Sequence, residues 1–355
     1  MTLLRAFVFP ALLGICCAQD GASPAPVLQA AAPHFVVRRW PEDKDLAIAV
    51  VGARTLTLND LIDHIQNRHY PRFRADLEAF PTVRAMLQSD LMAAWVRQLA
   101  DIEALRQTYG AELADDKKLE AAMSAALKAR FQGHLDAWAG DERQRGRSGE
   151  LSQDKVNRML TQFQWHNGLG CELQGMLDHL EGSEYSRQQL HGFFTANPRY
   201  FGGQVTIQHI MVQHRDAGTG ILLNDEGIAR ANERLAAIKA SIAPDGSNFE
   251  EVARARSEDT RTARNGGLLK GLHRYDDRMP AALCKAAWEL KDGEVSDVVE
   301  TQYGLHLVKR LEYTQNVFIL FTDDAMPTIK TVMQRAMQER RLLEARQKTG
   351  LRLML

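Results

Sequence analysis

Four cysteines in 355 residues are too few for a disulfide framework. Cys16 and Cys17 fall in an apolar N-terminal stretch, and Cys171 and Cys284 sit in separate predicted helices, where free, semi-buried thiols are expected. No paired C-x-x-C occurs. G-x-x-x-x-G-K-[ST] and G-x-G-x-x-G are both missing, so neither common phosphate cradle supports a nucleotide site. No G-x-S-x-G elbow marks a hydrolase nucleophile. Charge of neither sign dominates: 44 Lys and Arg against 45 Asp and Glu leave a net charge of -1. Such a chain has no global field to draw it to nucleic acid or to an anionic membrane. Internal repeats are absent too.

What is present is ordinary globular composition, 45% hydrophobic and 25% charged, over a length that suits about two domains. The N-terminus reads as an export signal over residues 1–18. Arg5 supplies the positive region, and "AFVFPALLGICCA" is apolar but too short to span a bilayer as a stable helix. Cys16 and Ala18 are the small residues expected before a cleavage after Ala18. A lipid anchor on Cys16 or Cys17 is the alternative, against which stands the bulky Ile15. Residues 19–40 begin "QDGASPAPVLQAAAP" and read as a flexible tether.

Residues 41–202 are expected to form a helical domain. "LAIAVV" is a strand, Gly52 and Ala53 a turn, and Thr57 or Asn59 can cap a helix lined by Leu58, Leu61, Ile62 and Ile65. Val83, Met86, Leu87, Leu91, Trp95, Leu99 and Ile102 recur at helical spacing until Gly110. Leu119, Met123, Leu127, Phe131, Leu135 and Trp138 do the same, ahead of a polar loop at 140–150. Val156, Leu160, Phe163, Leu173, Leu177 and Leu180 mark a third helix, with Gly168 and Gly170 expected to weaken its middle. A fourth, "SRQQLHGFFTA", ends before Asn197-Pro198. These stripes are packing faces at this spacing rather than a cofactor box. They suggest a scaffold or binding surface.

After residue 203 the period changes. "VTIQHIMV" is a strand, Asn224 can cap a helix, "NFEEVARARS" is a short helix, and "ARNGGLLKG" is a glycine-marked turn into a strand. "PAALCKAAWEL" is another helix, and "KDGEVSDVVE" with "TQYGLHLVKRLEY" add a turn and two strands. That is an α+β unit over 203–313. Residues 314–355 hold a helix stopped at Gly350 and an apolar strand, "LRLML". A lone terminal strand needs a partner, and "LAIAVV" lacks one. The two are expected to pair.

Alternation places Val205, Ile207, His209 and Met211 on one face of the first strand. An imidazole there must be hydrogen-bonded or functional, because an unpaired buried polar group costs a few kcal/mol. A second strand histidine, His306, shares its face with Gly304 and Val308. Asp259 follows Ser257, and Leu269, Met279 and Leu283 supply apolar side chains.

These anchors resemble a parvulin-type (PpiC) peptidyl-prolyl cis-trans isomerase domain. His209-Ile210-Met211-Val212 matches the opening strand, Phe249 through Ala253 to Ser257 the short helix, and Gly266-Gly267 the turn. Leu290, Gly293, Glu294, Ser296, Val299, Thr301, Gly304 and His306 match the closing pattern. "S-x-x-x-L…F-x-x-N-P-x-x-F" at 186–201 is similar to the connector in exported foldases of the SurA and PrsA kind. The resemblance implies an α+β domain with a four-stranded antiparallel sheet, inserted in or following a mostly α-helical chaperone domain built from both chain ends. It implies a bacterial periplasmic protein acting on unfolded or partly folded chains that contain X-Pro bonds. No cofactor, metal or nucleic acid is implied, and membrane attachment only through the lipid anchor above.

Carried over residue by residue, the resemblance makes His209 and His306 the paired histidines on the floor of the site. Asp259 takes the position near the substrate carbonyl, and Leu269 and Met279 the walls of the proline pocket. Leu283 stands where the family usually has Phe. The turn reads Gly266-Gly267-Leu268-Leu269-Lys270 instead of Gly-Gly-Asp-Leu-Gly. The loop after the strand, with Arg215 offset by Asp216, predicts no preference for phosphoserine before proline.

These residue types suit the reaction. Rotation about X-Pro meets a barrier of roughly 18–20 kcal/mol because it breaks amide resonance. No bond is made or broken, so no nucleophile is needed. The site must hold the ring, which by the resemblance falls to Leu269, Met279 and Leu283, and favour the twisted amide. A Ser/His/Asp hydrolase on Ser257 and Asp259 lacks a second supporting signal. Zinc on His209 and His306 lacks a third ligand placed by spacing. A purely structural histidine pair overlaps with the isomerase reading. The rival function is a chaperone that holds unfolded outer-membrane or secreted clients, its isomerase domain weak or dead, for which Leu283 and the altered turn argue.

Overall fold

The computed structural model describes residues 45–80, 89–146, 148–182, 184–214, 223, 225–276, 278–301, 303–315 and 319–354. The expected signal, tether and lipid-anchor cysteines lie outside them, as do Val83, Met86, Leu87, Arg215, Asp216 and Asn224.

Strand β1 (Ala47–Val51) turns back at Gly52, φ +61°, into β2 (Arg54–Thr57). The sequence reading missed β2, whose four residues, RTLT, carry one apolar side chain. Helix α1 (Leu58–Arg68) starts with a reciprocal cap. Thr57 Oγ1 accepts from the Asp60 N–H and Asp60 Oδ2 accepts from the Thr57 N–H. Such a cap is worth about 1 kcal/mol. Its buried face, Leu58, Leu61, Ile62 and Ile65, packs with Phe73 of α2 (Phe73–Ala79) and with Met92, Trp95, Leu99 and Ile102 of α3 (Ser89–Tyr109).

Two long antiparallel helices follow, α4 (Asp116–Gln144) and α5 (Gln153–Glu181). The polar run after Gly140 extends α4 by a turn, so the connecting loop is shorter than expected. Nor do Gly168 and Gly170 interrupt α5, whose helix is continuous. Its glycines serve close approach. A Cβ at Gly168 would sit 2.5 Å from the His69 ring, and one at Gly175 2.4 Å from the Met123 backbone. The propensity cost of about 1 kcal/mol per glycine is offset by packing that no larger residue allows.

Helix α6 (Arg187–Ala196), capped by Ser186, leads through α7 (Pro198–Gly202) into β3 (Gly203–Val212). The sheet that β3 centres is antiparallel, in the order β4-β3-β6-β5, with β4 Leu268–Leu272, β5 Val299–Thr301 and β6 Gly304–Gln315. One face carries Ile210, Val212, Leu305 and Leu307 under α8 (Asp225–Ser241) and α9 (Phe249–Arg256). The other carries Val205, Ile207 and Val308 under α10 (Ala281–Glu289), which brings Leu283, Ala287 and Trp288. This is the expected α+β sheet with helices, beside a mostly helical body. Cys171 and Cys284 are free and fully buried rather than semi-buried, and burial pushes the Cys284 thiol up to about 11.

Helix α11 (Met326–Thr349) returns to the helical body. Arg346 grips Asp101 of α3 with two hydrogen bonds, 2.7 and 2.6 Å. Gly350, φ +56°, ends the helix, and β7 (Arg352–Leu353) pairs antiparallel with β1, Ala49 opposite Leu353. Asp101 is only 4% exposed, so Arg346→Met strands a buried carboxylate. The expected loss is about 2–3 kcal/mol, below that of a fully enclosed pair because the arginine keeps contact with water. A lower urea midpoint would report it. Asp101→Leu combined with Arg346→Met should recover most of the loss, and failure to do so would assign the role to packing.

Candidate active site

The register of β3 against β6 sets His209 opposite Val308 and Met211 opposite His306. The two histidines are therefore diagonal neighbours on one face. Both are buried, at 3% and 2% exposure. Their rings lie nearly parallel, 19° apart, with Nδ1 to Nδ1 at 3.4 Å.

Every other nitrogen of the pair has a partner. His209 Nε2 lies 2.8 Å from Thr262 Oγ1 and 3.1 Å from Asp259 Oδ2. Thr262 Oγ1 donates to Asp259 Oδ2 at 2.8 Å, and Asp259 Oδ1 accepts from the Arg261 N–H at 3.1 Å. At the other end, His306 Nε2 lies 2.8 Å from Thr301 Oγ1, which itself accepts the Tyr303 N–H at 3.1 Å. One assignment of protons satisfies the whole row. Thr301 donates to His306 Nε2, His306 Nδ1–H to His209 Nδ1, and His209 Nε2–H to the Asp259–Thr262 end. Each ring then carries one proton and is neutral.

Electrostatics agree. Burial lowers the pKa of His306 to about 3, with His209 adding to the effect. Burial also lowers that of His209, against the pull of Asp259. Burial works to raise Asp259, but the Thr262 hydroxyl, the Arg261 N–H and His209 outweigh it, so its carboxylate stays ionised.

The turn before β4 holds this row in place. The His209 N–H donates to the Gly267 carbonyl at 2.9 Å. Gly267 adopts φ +74°, and a Cβ there would lie 2.0 Å from the His209 carbonyl oxygen. Ser257 stitches the chain to the edge of β3, its Oγ accepting the Met211 N–H at 3.1 Å.

The six site residues expected from the sequence all fall in or against this face. His209, Asp259 and His306 form the hydrogen-bonded row. Leu269 and Met279 are half-buried at the edge of the apolar cluster that contains Leu283. Leu283 itself is fully buried inside that cluster, so its side chain backs the surface instead of lining it. Thr262 and Thr301 were missed as partners. Thr262 had a local signal, three residues after Asp259 in an Asx-type turn. Thr301 was noticed only as a pattern position.

A four-stranded antiparallel sheet carries two neutral histidines on one face, an ionised aspartate at one end of their row and apolar side chains beside them, the arrangement that the parvulin resemblance implies. Comparison with known proteins agrees. Residues 209–312 match the model of the rotamase family, the PPIC-type PPIase domain. The peptidyl-prolyl cis-trans isomerase Pin1 of Arabidopsis thaliana is 34% identical over 116 residues, 30% of this chain and 94% of the relative. The foldase protein PrsA of Bacillus subtilis is 42% identical over 67 residues, 19% of this chain and 22% of the relative. A crystal structure of PrsA from Streptococcus pneumoniae aligns with 82% of this chain and 91% of its own, at 19% identity and a TM-score of 0.33. The chain belongs to the PPIC-type peptidyl-prolyl cis-trans isomerases. The match spans about a fifth of the length of the Bacillus foldase.

Proposed function

We propose that the protein is an exported foldase that accelerates X-Pro isomerisation in unfolded or partly folded polypeptides. The observation that supports this best is the uninterrupted row Thr301, His306, His209, Thr262 and Asp259, lying beside half-buried Leu269 and Met279. A neutral, rigid floor suits a reaction with no proton transfer to or from substrate. Leu269 and Met279 hold the proline ring, with Leu283 supporting them from below. The histidines keep the floor flat and dry. Asp259 disfavours negative charge near it, so it acts on the carbonyl through the polarity it gives the site as resonance is lost. Binding that is tighter for the twisted than for the planar amide lowers the barrier. The helical body, built from segments before and after the isomerase unit, holds the client. No helix among the described residues is long and apolar enough to cross a membrane. The signal-like residues 1–18 support export to the periplasm.

The test is isomerisation of a short Ala-Pro peptide by the purified full chain. Wild type should accelerate it. Asp259→Ala is expected to lower kcat/KM by about 100-fold, the scale for removing one preorganised polar group. His209→Ala should lower it about tenfold or more, through loss of the aligned floor. A wild type with no activity, or an Asp259→Ala variant with full turnover, would overturn the assignment.

A further inference from the structure

Far from the isomerase site, three side chains from two helices converge on one point. His64 Nε2 lies 2.7 Å and His69 Nε2 3.0 Å from the same oxygen, Oε2 of Glu172. All three candidate ligand atoms lie within 4.8 Å of one another. The Glu172 side chain is fully buried in the middle of α5, while the histidine side chains keep 13% and 11% exposure.

The surroundings orient this trio. Arg106 holds the other carboxylate oxygen, Oε1, at 2.8 Å, which leaves Oε2 to the two imidazoles. His69 is five residues after His64 and would point elsewhere on a continuous helix. It sits instead at the C-cap of α1, with φ -123° and ψ -38°, which turns its ring towards its neighbour. Gly168, one turn before Glu172, provides the space, since a Cβ there would strike the His69 ring at 2.5 Å.

We propose that His64, His69 and Glu172 bind a divalent metal ion of the zinc class. Two imidazoles and one carboxylate are a zinc ligand set, and the partial exposure of the rings leaves room for water in the fourth position. Bonds of about 2.0–2.1 Å in a tetrahedral arrangement require about 3.3 Å between ligand atoms. The Nε2–Oε2 spacings of 2.7 and 3.0 Å must open by about 0.6 and 0.3 Å, and the two ring nitrogens, within 4.8 Å of each other, must settle at the same separation. The Nε2–H bonds now aimed at Oε2 become Nε2 lone pairs aimed at the metal. Each ring gives up its Nε2 proton as it binds the ion. Arg106 becomes the outer partner that fixes the carboxylate. The ion would pin α1 to α5.

Untagged full-length protein stripped with chelator would be titrated with Zn²⁺ by calorimetry, and with Co²⁺ by visible absorption. One ion per chain, an intense four- or five-coordinate cobalt spectrum and a zinc-dependent rise in Tm are expected. His69→Asn and Glu172→Gln should each weaken Zn²⁺ binding at least about 100-fold while isomerase turnover is retained. Should either variant fail to fold, histidine nitrogen shifts in the wild type provide the reading. Zinc must take the Nε2 proton from two rings. No stoichiometric binding, unchanged ring tautomers, or binding that survives both substitutions would overturn the site and leave a hydrogen-bonded cluster.

Discussion

Gly267→Ala is expected to unfold the isomerase unit or to cost it about 2–5 kcal/mol. Two penalties add. The residue adopts φ +74°, where an L side chain costs about 1–2 kcal/mol. The added methyl would also lie 2.0 Å from the His209 carbonyl oxygen and 2.9 Å from its nitrogen. Both are backbone atoms and no rotamer change relieves the clash. The turn must move away, which breaks the His209 N–H bond to Gly267 and leaves a buried donor unsatisfied, about 1–3 kcal/mol more. Strand β4 is displaced with it, and Leu269 leaves the site. Gly293→Ala is the matched control. It has φ +86° with no atom within 4 Å of the added carbon, so it should show the conformational penalty alone. Urea unfolding of both variants separates the terms. Equal, small losses would show that the turn yields without consequence.

Acid should destabilise the same unit well before carboxylates titrate. His306 has a folded pKa of about 3, caused first by burial and then by His209. The unfolded chain binds its proton near pH 6.5. Between these values the unfolded state holds more protons, so stability is full above about pH 6.5 and falls as pH drops, by about 1.4 kcal/mol per pH unit. Burial lowers His209 in the same direction. From pH 7.5 to pH 5 the expected loss is about 2 kcal/mol from His306 alone. Asp259, held low by Thr262 and Arg261, titrates below that window. Urea midpoints at the two pH values measure the loss, and His306→Gln should flatten the dependence. A slope that survives this substitution would belong to other groups.

Much of the site was readable because its parts are local. His209 and His306 sit in strands whose alternation gives their face directly, and Asp259 stands three residues past the end of a helix with clear apolar spacing. The pairing of "LAIAVV" with "LRLML" was readable from the other direction, as two strands each short of a partner. The cluster of His64, His69 and Glu172 was not readable. Glu172 lies more than 100 positions from either histidine, and the two histidines have a spacing that matches no helix face until the C-cap bends. The glycines of α5 were misjudged because intrinsic propensity is visible in one segment, whereas the side chain that fills the space comes from another. Leu283 shows the same limit. Its type suggested a wall of the pocket, but depth beneath the surface depends on how α10 lies on the sheet.

The pairing of Ala49 and Val50 with residues 352 and 353 sets a timetable for biogenesis. The three-stranded sheet cannot close until about 300 further residues have been synthesised, which takes about 15–60 s at ordinary translation rates. The isomerase unit, whose strands and helices all lie between residues 203 and 315, is complete sooner. The sheet that joins β1 to β7 is therefore closed last, after the α+β unit that lies between them in sequence.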